Sequence, residues 1–183
     1  MARWPTGPFK TGRTGCYGCM RYSSSDGSCG TKNYPCVHYG VDLFADDRRV
    51  FAPEAGTIIA VADGTKAPYV GYGPGVILLQ GKSGVYHLLA HLSYSTILPS
   101  KGEWVSEGQQ LAMFDQAIGH THYEVRIEPT GNSATNTRDP EGWILEQSFK
   151  LRAIPWTLIG IGVGGLLGAF MLSRTAERRG RTT

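Results

Sequence analysis

The sequence predicts a mainly β domain, an antiparallel sheet with a central groove, followed by one C-terminal membrane-spanning helix. Three observations carry this expectation. Glycine supplies 25 of the 183 residues, a density that suits a turn-rich β architecture better than a helical bundle. Short runs of β-branched and aromatic residues recur between Gly- and Pro-containing stretches, the pattern of strands joined by turns. Near the end, Ala153 to Ser173 carries no charge, and 154–172 is apolar apart from Thr157 and a number of glycines.

Residues 1–33 show little apolar periodicity and read as an extended, cysteine-rich arm. Cys16, Cys19, Cys29 and Cys36 are separated by two, nine and six residues, spacings open to two disulfides, a small structural metal knuckle or free thiols. The surrounding Gly15, Tyr17, Gly18, Gly27 and Gly30 suit an irregular loop that needs a staple. No N-terminal signal peptide is expected, because Arg3, Lys10, Arg13, Pro5 and Pro8 are followed by no apolar run.

A β domain is expected over 34–146. The stretch 51–62 is a turn running into a β-branched strand, and Asp63 to Gly75, with four glycines and two prolines, reads as a loop tipped by Gly71-Tyr-Gly-Pro-Gly75. Val76 to Gln80 and Val85 to His91 form an antiparallel pair around Gly81-Lys-Ser-Gly84. A further turn and strand follow at 101–112. Thr121 to Ile127 alternates, with Tyr123, Val125 and Ile127 directed to the core and His122, Glu124 and Arg126 to the opposite, groove-forming face. Gly131 to Pro140 reads as a polar loop, Trp143 to Arg152 as a short amphipathic link to the membrane, with the interdomain linker set at 147–153, and 173–183 as a basic tail.

Chemistry concentrates in three islands: His38-Tyr-Gly-Val-Asp42, His91-Leu-Ser93 and His120-Thr-His-Tyr-Glu124. Imidazole nitrogen and carboxylate oxygen are ligands of tetrahedral Zn²⁺, and a catalytic site keeps a fourth position for water. On a strand, residues i and i+2 share a face, so His120 and His122 can converge on one ion. His87 lies four residues before His91, but His87-Leu-Leu-Ala-His91 lacks the glutamate of a His-Glu-x-x-His helix. A core role or a supporting role beside the ligands suits His87 better than ligation. Glu124 shares the face of His122 and is a candidate base, with a supporting or salt-bridging role the stronger reading.

These islands, in this order, together with Ala52-Pro-Glu-Ala-Gly-Thr57, Leu89-Ala-His-Leu-Ser93, Gly108-Gln-Gln-Leu-Ala112 and His120-Thr-His-Tyr-Glu-Val-Arg126, resemble the lysostaphin-type zinc endopeptidases of peptidoglycan over 35–143. The resemblance implies that His38, Asp42 and His122 bind Zn²⁺, that His91 and His120 are catalytic, and that bacterial peptidoglycan is the substrate. It also admits a non-catalytic relative that binds peptidoglycan or activates another hydrolase, although such domains typically lose ligands and this chain keeps all five groups. The sequence departs from the family at His87, where a small polar residue is usual, at Thr121, where leucine is common, and in a shortened stretch from Gln110 to His120. A lipoyl-type carrier is disfavoured because Lys66 and Lys82 lack flanking methionines.

The formal net charge is +3, all of it from Arg174, Arg178, Arg179 and Arg181 against Glu177, which leaves 14 basic and 14 acidic residues elsewhere. The main domain thus has no net positive charge to attract nucleic acid, and no nucleic-acid partner is expected. The 19 residues 154–172 would reach roughly 28 Å as a helix, about the thickness of a bilayer core. Pro155 fits the first turn and Trp156 the interface. Gly160, Gly164 and Gly168 fall on one helix face and suggest self-association. The arginine tail favours a cytoplasmic C-terminus, which would place the β domain outside a cell. The alternative is a tail-anchored protein made in the cytosol and carried in a membrane-containing particle such as a virus.

Overall fold

The computed structural model describes residues 2–6, 13–15, 17, 38–131, 133 and 135–152. The chain divides into two compact units, 1–148 and 149–183. The four cysteines and the apolar segment 154–172 lie outside the described residues. Among the described residues no helix is long and apolar enough to cross a membrane.

The architecture is mainly β and antiparallel, as the sequence predicts. In chain order the strands are β1 (Arg13–Gly15), β2 (Val41–Leu43), β3 (Arg49–Phe51), β4 (Gly56–Gly64), β5 (Gly73–Gly81), β6 (Tyr86–Ala90), β7 (Trp104–Val105), β8 (Gln110–Met113), β9 (Thr121–Arg126) and β10 (Thr137–Arg138). A 3₁₀ turn spans Tyr94–Thr96, and helix α1 spans Pro140–Arg152. Seven strands run in the order β1-β2-β9-β6-β5-β4-β7, with β10 paired to β9, while β3 and β8 form a separate ribbon. The expected pair around Gly81–Gly84 is present, with Ile77 opposite Leu89 and Leu79 opposite His87.

Both faces of the central strands are covered. Ile77, Leu79, Leu89, Tyr123 and Val125 join the larger apolar cluster, whereas Val76, Leu78, Leu88 and Ala90 form a second one with Tyr69, Tyr72 and Tyr86 packed against it. This period-2 division gives β5 a continuous apolar run, because each pleat face meets its own core. All six residues of β9 are buried. His122, Glu124 and Arg126 therefore lie buried on the side of the second cluster. Ile127, expected in the core, is 45% exposed, because β9 ends at Arg126 and the chain turns there, Ile127 donating its N–H to the Asn136 carbonyl (2.8 Å).

Other boundaries also shift. The loop expected over 63–75 shrinks to 65–72, since β4 runs to Gly64 opposite Gly73. The close pairing requires glycine: a Cβ at Gly64 would collide with the Gly73 carbonyl. The polar loop expected over 131–140 contains β10, and α1 begins at Pro140, three residues before the expected segment. Asp139 caps it by accepting from Glu141 N–H (3.1 Å), and proline at the first helical position forgoes only an N–H that has no helical partner. Trp143 and Ile144 are buried while Leu145 is 53% exposed.

The described parts of the arm belong to the domain. Arg3 N–H donates to the Pro53 carbonyl and Phe51 N–H to the Pro5 carbonyl (2.7 and 2.6 Å). Trp4 packs edge-on against Tyr123, β1 extends the sheet beside β2, and the Tyr17 hydroxyl donates to the Thr137 carbonyl (3.0 Å).

Candidate active site

The three islands meet at one end of β9. Strand β2 pairs with β9 so that Asp42 stands opposite His122, and this closeness depends on Gly40, where a Cβ would lie 2.5 Å from the Tyr123 carbonyl and 2.8 Å from the His122 ring. His120 precedes β9, its Nδ1 lying 3.2 Å from the Ile118 carbonyl. A carbonyl only accepts, so Nδ1 carries the proton. In the neutral ring Nε2 then holds the lone pair. His91 follows β6 with φ of 58°, a left-handed conformation that costs a non-glycine residue roughly 1–2 kcal/mol. Backbone bonds hold it on both sides, from His91 N–H to the Tyr72 carbonyl (2.9 Å) and from Asp115 N–H to the His91 carbonyl (2.7 Å).

His38 Nε2, His122 Nδ1 and Asp42 Oδ1 form a triangle with edges of 2.9, 3.0 and 3.3 Å. Ligand atoms bound tetrahedrally at about 2.1 Å stand roughly 3.4 Å apart, so these three atoms fit a Zn²⁺ ion with little adjustment. Two imidazoles and one carboxylate are also a suitable donor set for zinc. A second group, Asp42, His91 and His120, has candidate atoms within 4.8 Å of one another, and its His120 Nε2 to Asp42 Oδ1 distance is 3.7 Å. The first triangle is tighter. The His91 and His120 rings meet edge-on with centroids 5.0 Å apart, and His91 Nδ1 is buried without a hydrogen-bond partner among the described residues.

Behind the triangle sits Glu124, 1% exposed. Its Oε1 accepts from His122 Nε2 (2.9 Å) and the Tyr72 hydroxyl (2.7 Å), and its Oε2 from Arg126 Nε (2.6 Å). With both oxygens committed and no access to solvent, Glu124 is not placed to act as a general base.

Charge in the cluster follows from these contacts. Burial opposes ionisation of Asp42, but hydrogen bonds from His122 and His38 prevail and hold its carboxyl well below the usual range. Burial likewise opposes the His122 cation, yet Asp42 and Glu124 raise the imidazole to about 9. Two carboxylates that hold a proton this firmly also favour a divalent cation in its place, because the metal competes for the Nδ1 lone pair. His91 moves the opposite way, to about 4, through burial and repulsion from His122 and His120.

All five residues singled out in the sequence thus lie together. His87 lies apart from them, fully buried, with Nε2 2.7 Å from Glu54 Oε1 and Nδ1 3.0 Å from the Tyr123 hydroxyl. The sequence reading missed Tyr72 and Arg126 as partners of Glu124. Arg126 was on the correct face by alternation, whereas Tyr72 stands in a glycine-rich turn that has no face to read.

No curated protein matches the chain at a significant level. Solved structures do match in fold. The catalytic domain of the antimicrobial peptidase lysostaphin from Staphylococcus simulans is 24% identical, with 70% of this chain and 88% of that one covered and a TM-score of 0.51. A point variant of the catalytic domain of EnpA, a prophage-encoded M23 protein from Enterococcus faecalis, is 21% identical, covering 75% and 95% with a TM-score of 0.55. A zinc-containing peptidase from Vibrio cholerae is 20% identical over 75% of this chain and 38% of that one, with a TM-score of 0.51. At these identities the likeness concerns the fold. The family model of Peptidase family M23 matches residues 36–137, more than half of the chain and a span that contains all five candidate site residues, and the chain belongs to that family.

Proposed function

We propose that the protein is a zinc-dependent endopeptidase that hydrolyses peptide bonds in bacterial peptidoglycan and is held at a membrane by residues 154–172. The observation that carries this reading is the triangle of His38, Asp42 and His122 with His91 and His120 beside it, in a chain of Peptidase family M23. Those three residues hold the metal. The chemistry Zn²⁺ supplies when bound is polarisation of a carbonyl and acidification of water, from a pKa of 15.7 to about 7.

The chain's own groups do the rest. His120 is oriented by donation from Nδ1 to the Ile118 carbonyl, so Nε2 takes a proton from the attacking water and returns it to the leaving amine. His91, fixed in its turn beside His120, donates a hydrogen bond to the developing oxyanion. Retention of both groups favours catalysis over a purely binding role. In the test, full-length protein in detergent is incubated with purified peptidoglycan and the released fragments are sized by mass spectrometry. New amine and carboxyl ends at one peptide bond, lost with a chelator and restored by zinc, are expected. Intact peptidoglycan with zinc-loaded protein would contradict the reading.

Membrane attachment rests on the 19-residue apolar segment, and self-association on Gly160, Gly164 and Gly168. The arginines after Leu172 favour a cytoplasmic C-terminus in a cell envelope, and a membrane-containing virion is the alternative setting. The full chain should stay with vesicles after an alkaline carbonate wash, and its extraction would remove the spanning helix from the account.

A further inference from the structure

We infer that Tyr72, Glu124 and Arg126 form a positioning clamp that sets the metal affinity of His122 and ties the β4–β5 loop to the site. The inference rests on the metal reading above and assigns a role to three residues outside the ligand set. The contacts close a ring. Arg126 donates from Nε to Glu124 Oε2 (2.6 Å) and from Nη2 to the Tyr72 hydroxyl (2.8 Å), and that hydroxyl donates onward to Glu124 Oε1 (2.7 Å). Glu124 Oε1 also receives His122 Nε2 (2.9 Å). Glu124 and Arg126 are 1% and 2% exposed, and the guanidinium lies 5.7 Å from the Tyr72 ring centroid.

Physical reasons make this more than a buried ion pair. A carboxylate on the far nitrogen of a ligating imidazole fixes the tautomer, aims the other nitrogen and raises ligand basicity. Here the carboxylate is itself held at both oxygens, so the His122 ring cannot rotate without breaking the ring of contacts. His122, Glu124 and Arg126 are successive same-face residues of β9 and have little independent freedom. Tyr72 comes from elsewhere, from the loop whose Tyr72 carbonyl also receives His91 N–H. One residue therefore bonds to His91 through its backbone and to the partner of His122 through its side chain. The loop cannot shift without disturbing both the metal side and the catalytic side of the site.

The test measures the zinc dissociation constant of the full chain in detergent by competition with a chromophoric chelator, together with the melting temperature of the metal-stripped protein. Tyr72→Phe removes only the hydroxyl, and Arg126→Lys keeps the charge but loses the fork. Each should weaken zinc binding about 10-fold or more, the range found for groups behind a ligating histidine. Tyr69→Phe, which removes a neighbouring hydroxyl of the same loop, should leave the constant unchanged. A merely structural role would lower the melting temperature of the metal-stripped chain and leave zinc affinity intact. Zinc constants within about 2-fold of wild type in both variants overturn the clamp. If Arg126→Lys does not fold, Tyr72→Phe decides alone. Failure of the wild-type chain to bind zinc would be a different result, removing the metal reading and the clamp with it.

Discussion

His87 and His122 lie on opposite faces of one sheet, and each is buried against a glutamate that is itself almost wholly enclosed. The first imidazole nitrogen is treated alike: His87 Nε2 stands 2.7 Å from Glu54 and His122 Nε2 stands 2.9 Å from Glu124. The second nitrogen separates them. His87 Nδ1 meets the Tyr123 hydroxyl, and the ring is closed in by Trp143 edge-on at 4.9 Å. Glu54 is further satisfied by the Ser83 N–H and hydroxyl (3.2 and 2.6 Å). His122 Nδ1 instead meets a carboxylate and a second imidazole. A histidine–glutamate pair is thus a staple when its remaining nitrogen ends on a neutral hydroxyl, and a half-built metal site when that nitrogen ends among other ligands.

The largest effect that tests this contrast is expected from Asp42→Ala. It should remove zinc from the folded chain and abolish peptidoglycan cleavage, as read by metal content and fragment release. Equal metal content in the variant and the wild type would erase the distinction between the two histidines. Next in size, His91→Ala and His120→Ala should retain zinc yet slow cleavage at least about 100-fold, the scale of losing an acid–base or oxyanion group. Near-normal rates in both variants would confine the chemistry to the three ligands.

His87→Ala should act on stability alone. It leaves Glu54 buried without its ring partner and opens a cavity, which together cost about 3 kcal/mol. The urea midpoint should fall while the zinc dissociation constant stays within about 2-fold. A weakened constant would make the two faces of the sheet one coupled system.

The smallest expected effect is the opposite pH response of the two histidines in metal-stripped protein. Burial holds His87 below its ordinary value despite Glu54, so the unfolded chain takes up that proton first. Its contribution is present above about pH 6.5 and is lost as pH falls through that region. His122 is raised to about 9, so its contribution is complete below about pH 6.5 and is lost as pH rises through 9. Urea midpoints measured from pH 5 to 9.5 should show His122→Ala flattening the alkaline decline and His87→Ala reducing the acid one, which His91 shares. The same pH profile in both variants would contradict the opposite charge environments.

Much of this arrangement was legible in the sequence because it is written in local periods. Alternation put Tyr123 and Val125 on one side of β9 and Glu124 and Arg126 on the other, and Gly81–Gly84 marked a hairpin. The two-residue spacing of His120 and His122, by contrast, brings both to Asp42 in two separate groups and not onto one shared set of ligands. Contacts that join distant segments leave no such trace. Tyr72 reaches Glu124 across 52 residues and Glu54 reaches His87 across 33, and neither spacing has a period. That His122, Glu124 and Arg126 are buried was illegible for a related reason. Alternation shows which residues share a side, but the Tyr69 and Tyr72 loop that covers that side comes from another part of the chain. Ile127 was misplaced because hydropathy continues past Arg126 while the strand pairing stops there.

The most direct measurement is the X-ray absorption spectrum of zinc bound to the full chain at less than one equivalent, compared between wild type and Asp42→Ala. Wild type should show a shell of nitrogen and oxygen only, at about 2.0–2.1 Å, with imidazole scattering from His38 and His122, and the variant should lose it. A sulfur shell at about 2.3 Å that persists unchanged in Asp42→Ala would place the ion among Cys16, Cys19, Cys29 and Cys36, and would contradict zinc binding by His38, Asp42 and His122.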